Sequence, residues 1–127
     1  MYKIEGRNIY ITRGDACVIS IKSSELNELG EKVSHIFKQG DILSLGIYKE
    51  NGYSKGPMFY KEITLDEDSE IVDFILTSED TKFGKYINKP KNYWYEIQYN
   101  KDQTILGYDE SGPKLFVLYP EGDDSSE

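Results

Sequence analysis

The sequence predicts an all-β domain, a sandwich of antiparallel sheets, on three observations. Apolar and polar residues alternate at the period of a strand in several separate stretches. Turn signals rich in glycine, asparagine and aspartate punctuate those stretches at intervals of about ten residues. Tyrosine is abundant, with eleven copies in 127 residues. It suits half-buried strands, where the ring packs and the hydroxyl stays wet.

The organising stretch runs from Asn8 to Lys22. Asn8 to Thr12 and Ala16 to Lys22 both alternate and are rich in β-branched residues, and Arg13-Gly14-Asp15 lies between them. Gly14 can take the positive φ of a tight turn or sheet corner, and the Asp15 carboxylate can accept backbone N–H groups two residues on. Cys17, Ile19 and Ile21 then share a buried face, with Val18, Ser20 and Lys22 on the other. A second such turn, Gly40-Asp41, precedes a strand with Leu43, Leu45 and Ile47 inward and Ser44, Gly46 and Tyr48 outward.

The remaining elements follow in order. Residues 1–7 read as an N-terminal arm, 8–120 as the domain and 121–127 as an acidic, disordered tail. Ser23 to Gln39 is either one short helical turn or a long loop. Lys49 to Met58, with an Asn51-Gly52 pair, is a hairpin loop. Phe59 to Leu65 is a strand, and Ile71 to Leu76 is another with Val72, Phe74 and Leu76 inward. Ser78 to Phe83 is a helical turn with a hydroxyl residue before it and Gly84 after it. Tyr93 to Tyr99 is the clearest strand, with Tyr95, Ile97 and Tyr99 on one face and Trp94 on the other. Thr104 to Tyr108 and Lys114 to Tyr119 are the last two strands, joined across Glu110 to Pro113. The total is about eight strands, immunoglobulin-like in architecture, with a closed barrel as the alternative.

Composition narrows the function. A formal net charge of −8 disfavours nucleic acid and anionic membranes, which need a basic face. No segment resembles a signal peptide or reaches the length of a membrane span. The single cysteine, Cys17, has no internal disulfide partner and reads as a buried, inert thiol. No cofactor motif is present, and no metal-ligand spacing: His35 is the only histidine and reads as a solvated loop residue. Asp66, Glu67, Asp68 and Glu70 lack the order of a calcium loop and read as a solvated turn. Glu79 and Asp80 are explained by a helix start rather than by acid–base chemistry. Arg13-Gly14-Asp15 matches a tripeptide read by adhesion receptors. The simpler reading makes Gly14 and Asp15 a corner and Arg13 incidental.

The aromatics carry the functional signal. Trp94, Tyr10 and Tyr48 fall on outward positions of their strands, as suits a protein interface or a sugar-stacking platform.

Ile11-Thr12-Arg13-Gly14-Asp15, then Gly40-Asp41-Ile42-Leu43-Ser44-Leu45, then Ile75 to Thr81 and Tyr93 to Tyr99 resemble the small β-sandwich of baseplate and tail proteins of phages and prophages of Gram-positive bacteria. They are similar to the N-terminal domain of siphophage upper baseplate proteins. The resemblance spans about Asn8 to Tyr119, and its motifs mark strand corners rather than catalytic groups. It implies a non-enzymatic structural or assembly module that docks to other tail or baseplate subunits through sheet faces or edges. Such a module is expected as a homo-oligomer in the virion or tail-like particle, and in the bacterial host cytoplasm before assembly. The glycine-rich 49–58 loop and the lack of a long helical or fibrous segment depart from that family and favour a free-standing adaptor. A carbohydrate-binding module is the alternative, and a small hydrolase comes third.

Overall fold

A computed structural model describes residues 2–5, 7–49, 56–106 and 114–121. The described residues are all-β, with eleven strands and one 3₁₀ turn. In chain order the strands are β1 (Tyr2–Glu5), β2 (Asn8–Thr12), β3 (Cys17–Ile21), β4 (Ser24–Leu26), β5 (Lys32–Ser34), β6 (Ile42–Tyr48), β7 (Phe59–Thr64), β8 (Val72–Leu76), β9 (Lys91–Tyr99), β10 (Gln103–Leu106) and β11 (Lys114–Tyr119). The 3₁₀ turn covers Asp80–Lys82.

A seven-stranded sheet has the order β1-β2-β11-β9-β6-β7, with β10 attached to β9. β3 and β8 form a separate antiparallel ribbon, and β4 and β5 a small hairpin. Alternation explains the packing. Ile9, Ile11, Leu43, Leu45, Ile47, Tyr93, Tyr95, Ile97, Phe116 and Leu118 on the large sheet share one buried cluster with Cys17, Ile19, Ile21, Val72, Phe74 and Leu76 of the ribbon. The result is a sandwich-like pair of layers around one core.

Several expectations are corrected. The large sheet is mixed, because β2 runs parallel to β11, pairing Ile9 with Phe116 and Ile11 with Leu118. Residues 2–5, read as part of a loose arm, pair with β2 from Tyr2↔Ile11 to Glu5↔Asn8. All four are exposed, so backbone hydrogen bonds rather than a buried apolar face hold this strand, although Tyr2 and Ile4 do alternate with Lys3 and Glu5. The 23–39 region is neither helix nor plain loop. Asn27 and Glu31 close a hairpin, with the Asn27 carboxamide accepting the Leu29 and Glu31 N–H groups at 2.9 Å each. β10 and β11 are not neighbours; each pairs with β9 instead. The tip of the 49–58 loop, the 110–113 connection and residues 122–127 lie outside the described residues.

Both glycine-aspartate turns have the same geometry. Gly14 and Gly40 each sit at φ 93°. The Asp15 N–H donates to the Thr12 carbonyl at 3.0 Å, and that of Asp41 to the Lys38 carbonyl at 2.9 Å. A closing bond from the fourth residue, with a positive φ at the third, is the type II pattern and selects glycine there.

Arg13 is not incidental. Its Nη1 donates to Glu121 at 2.7 Å and its Nη2 to the Lys82 and Gly84 carbonyls at 2.7 and 3.2 Å. The Gly14 N–H donates to Thr81 Oγ1 at 2.9 Å, and that hydroxyl donates to the Asp15 carbonyl at 2.9 Å. Thr81 is fully buried. Glu121, the first residue of the presumed tail, is therefore tied to the fold.

Gly14→Val should cost about 2 kcal/mol, because a β-branched residue is strained at that φ. Arg13→Ala should cost about 2 kcal/mol or more, since a half-buried Glu121 loses its charged partner. Urea midpoints unchanged by both substitutions would show that the corner does not hold the layers.

Candidate functional site

The outer face of the large sheet carries the sequence-predicted aromatics. Along β9 the outward positions are Trp94, Glu96 and Gln98. Trp94 lies opposite Tyr48 of β6 on one side and Leu115 of β11 on the other. All three are half-buried. Tyr60, which is 50% exposed, pairs across Gly46 with Glu96 in the next row.

Tyr48 does not project from this face. A β-carbon built on Gly46 would lie 2.8 Å from Tyr48 Cε1 and from its hydroxyl oxygen. The ring therefore lies along the sheet over Gly46, two residues back on the same face, where any larger residue would displace it. The Tyr48 hydroxyl thus reaches Glu96 at 3.4 Å. Burial pushes the Glu96 carboxyl above its usual range, and the Tyr48 hydrogen bond offsets only part of that.

Tyr10 is on the same face but apart from this pair. It lies opposite Val117 of β11, so β11 separates its strand from β9. Two strand spacings place it roughly 10 Å across from the Trp94 strand. Its ring stacks against Tyr119 with centroids 6.5 Å apart, and Lys3 Nζ lies 5.7 Å from its centre. The sequence thus assigns three residues to one face, and the structure brings two of them together.

The inner edge holds a polar cluster whose members lie far apart in the chain. The Asp41 carboxylate accepts the Tyr99 hydroxyl at 2.6 Å, the Lys38 N–H at 2.8 Å and the Asn100 amide at 3.4 Å. The Tyr99 bond, followed by that from Lys38, holds the Asp41 carboxyl below its usual range. The same bond, with some burial, pushes the Tyr99 phenol up to about 12. His35 is not a solvated loop residue. It packs edge-on against Phe37 and Tyr99, with centroids 4.9 and 5.6 Å away. Its Nδ1 bonds Glu25, and its Nε2 lies 3.4 Å from the Tyr99 hydroxyl. The signal was present in pieces: Tyr99 on the inward register of β9, and Asp41 next to a turn glycine.

Other candidate groups are engaged structurally. Asp80 and Thr77 exchange hydrogen bonds, the Thr77 N–H to Asp80 Oδ2 at 2.9 Å and the Asp80 N–H to Thr77 Oγ1 at 3.2 Å. Burial pushes the Asp80 carboxyl up, but the Thr77 and Lys61 hydrogen bonds outweigh it and leave the group below its usual range. The Cys17 thiol is buried, and desolvation raises it to about 11. Among the described residues no group of three or more histidines, cysteines and carboxylates is arranged to hold a metal ion. No described helix is long and apolar enough to cross a membrane.

Comparison with known proteins returns no relative: the chain matches no protein-family model, no curated protein and no solved structure.

The Tyr99–Asp41 bond gives a pH signature. A phenol raised from 10.0 to about 12 in the folded state contributes stability that is complete below pH 10 and is lost as pH rises toward 12. Asp41, lowered in the folded state, contributes stability that is lost on acidification through its folded value. Tyr99→Phe should therefore be less stable than the parent at neutral pH and converge with it at high pH. Stability curves that stay parallel from pH 7 to about 12 would show that the bond is energetically neutral.

Proposed function

We propose that the protein is a non-enzymatic assembly module that docks through the outer face of its large sheet. The observation that carries this reading is the Tyr48–Trp94–Leu115 row, three half-buried apolar side chains side by side across three strands. Such a row lies opposite the core and fills none of it. Apolar area of this kind, with an aromatic centre, is what association buries most productively. Tyr60 and Glu62 at the β7 side, and Tyr10 with Tyr119 at the β2 side, supply a polar and aromatic surround.

The particle we propose is a phage tail, baseplate or tail-like particle, on the strength of the corner and strand motifs described from the sequence. In that setting the neighbours are other tail subunits and further copies of this chain. The architecture is then a variant of the immunoglobulin-like sandwich with the first long strand parallel to the last.

A carbohydrate platform is the second reading, favoured by Glu96 and Gln98 alternating with Trp94 along one strand. It predicts that Trp94 fluorescence responds to glycans, which docking to protein does not require.

Trp94→Ala should leave the melting temperature close to that of the parent and weaken association by about 2 kcal/mol, roughly thirtyfold. Salt should change that loss little, because desolvated aromatic area rather than long-range charge is removed. Sedimentation of the purified chain and incorporation into particles both measure it. A mutant that melts normally and still associates would move the interface away from this row, and one that unfolds would place Trp94 in the core.

A further inference from the structure

We propose that the cleft between the β4–β5 hairpin and the β9–β10 edge is a binding site for a small, neutral, hydroxyl-rich molecule of pyranose size. The cleft lies on the inner side of β9, since Tyr99 shares the face of Tyr95 and Ile97 whereas Trp94 points the other way. It is thus separate from the outer face and independent of the assembly role.

The cleft has a volume of about 310 Å³. This is at the small end of the roughly 300–1,000 Å³ that ligand sites occupy, so it suits one ring rather than a chain or a nucleotide. Ser24 and His35 line it from the hairpin side, Gln103 and Thr104 from β10, and Tyr99 from the end of β9. Phe37 and Ile105 provide apolar surface. Phe37, His35 and Tyr99 hold one another edge to face, with centroids 4.9 to 5.6 Å apart, so this wall is rigid.

The chemistry of the lining selects the ligand class. Hydroxyl and carboxamide groups both donate and accept, as a sugar hydroxyl does. The register sets Gln103 opposite inward Tyr99 and Thr104 opposite outward Gln98, so Gln103 with Ser24 supplies the cleft's polar side chains, and neither makes a side-chain hydrogen bond to a described residue. Tyr99 donates its O–H to Asp41 and keeps an acceptor lone pair. His35 spends Nδ1 on Glu25, and its Nε2 contact to Tyr99 is long at 3.4 Å, a weak bond that a closer partner would displace. The aromatic and aliphatic groups match the C–H face of a sugar ring. No lysine or arginine is among the described lining residues, and the charges wired to this wall are the Glu25 and Asp41 carboxylates, so an anion is disfavoured.

The test is an amide ¹H–¹⁵N NMR titration of the full chain with glucose, galactose and N-acetylglucosamine, with choline chloride and sodium phosphate as comparators. At least one sugar should give saturable shifts centred on Ser24, His35, Gln103 and Thr104, with the Trp94 indole signal unmoved. Gln103→Ala and Ser24→Ala change exposed side chains, and each should weaken that binding about five- to tenfold without altering the melt. Saturation by choline or phosphate but by no sugar would overturn the assignment of ligand class. Absence of shifts with all three sugars, shifts centred on Trp94, or variants that bind as the parent does would overturn the site.

Discussion

Two connections that cross between layers meet at one guanidinium. The chain leaves the large sheet at the end of β2 and enters the ribbon at β3; it leaves the ribbon at the end of β8 and returns to the sheet at β9. Arg13 and Gly14 lie in the first crossing, and Thr81, Lys82 and Gly84 in the second. The bonds between them are what keep the two crossings in register, although 67 to 71 residues separate the partners. A comparable junction stands at the opposite end of β8. There Phe37 and Ser69 exchange backbone bonds at 2.8 and 2.9 Å, and the Gly40 N–H donates to the Leu65 carbonyl at 2.8 Å. Each glycine-aspartate turn therefore sits where one crossing is fastened to another. The apolar core supplies most of the stability, but apolar contacts are non-directional. These directional bonds set how the ribbon lies against the sheet.

Much of this was legible, and the reason is periodicity. Cys17, Ile19 and Ile21, or Val72, Phe74 and Leu76, declare a strand with one wet face without reference to the rest of the chain. What was not legible depends on partners remote in sequence. Arg13 gave no sign that Glu121 would neutralise it, and Glu121 looked like the start of a solvated tail. Phe83 reads as the end of a helical turn, yet it is buried among Phe59, Tyr93 and Phe116, with centroids 5.0 to 6.1 Å away. The parallel pairing of β2 with β11 could not be inferred either, because alternation fixes which face is buried but not the neighbour or its direction. At the candidate interface the residues were identifiable, since outward register follows from strand parity. Their spacing was not, since it depends on strand order.

The outer face shows how a glycine can shape a surface. Gly46 leaves a gap in the middle of β6, and the Tyr48 ring lies over it, flat against the sheet where a larger residue at position 46 would lift it. A partner meeting it would find area more than pockets. The inner cleft has the opposite character, with polar walls around a small hollow and a rigid aromatic cluster behind them. The two surfaces lie on opposite sides of β9, so side chains of alternate parity on one strand belong to each.

The strand order also governs when the sheet can be completed. β11 is the last of the described strands, yet it is inserted between β2 and β9. On a ribosome, β2 and its hairpin partner β1 would emerge more than a hundred residues before β11, the strand that β2 joins in the sheet. Until then β9 and β2 both present unpaired backbone to solvent. Non-local pairing of this kind slows folding and prolongs the exposure of sticky edges. The short, charged β1, with Lys3 and Glu5 paired at 3.6 Å, covers one side of β2 during that interval and discourages pairing with a stray strand.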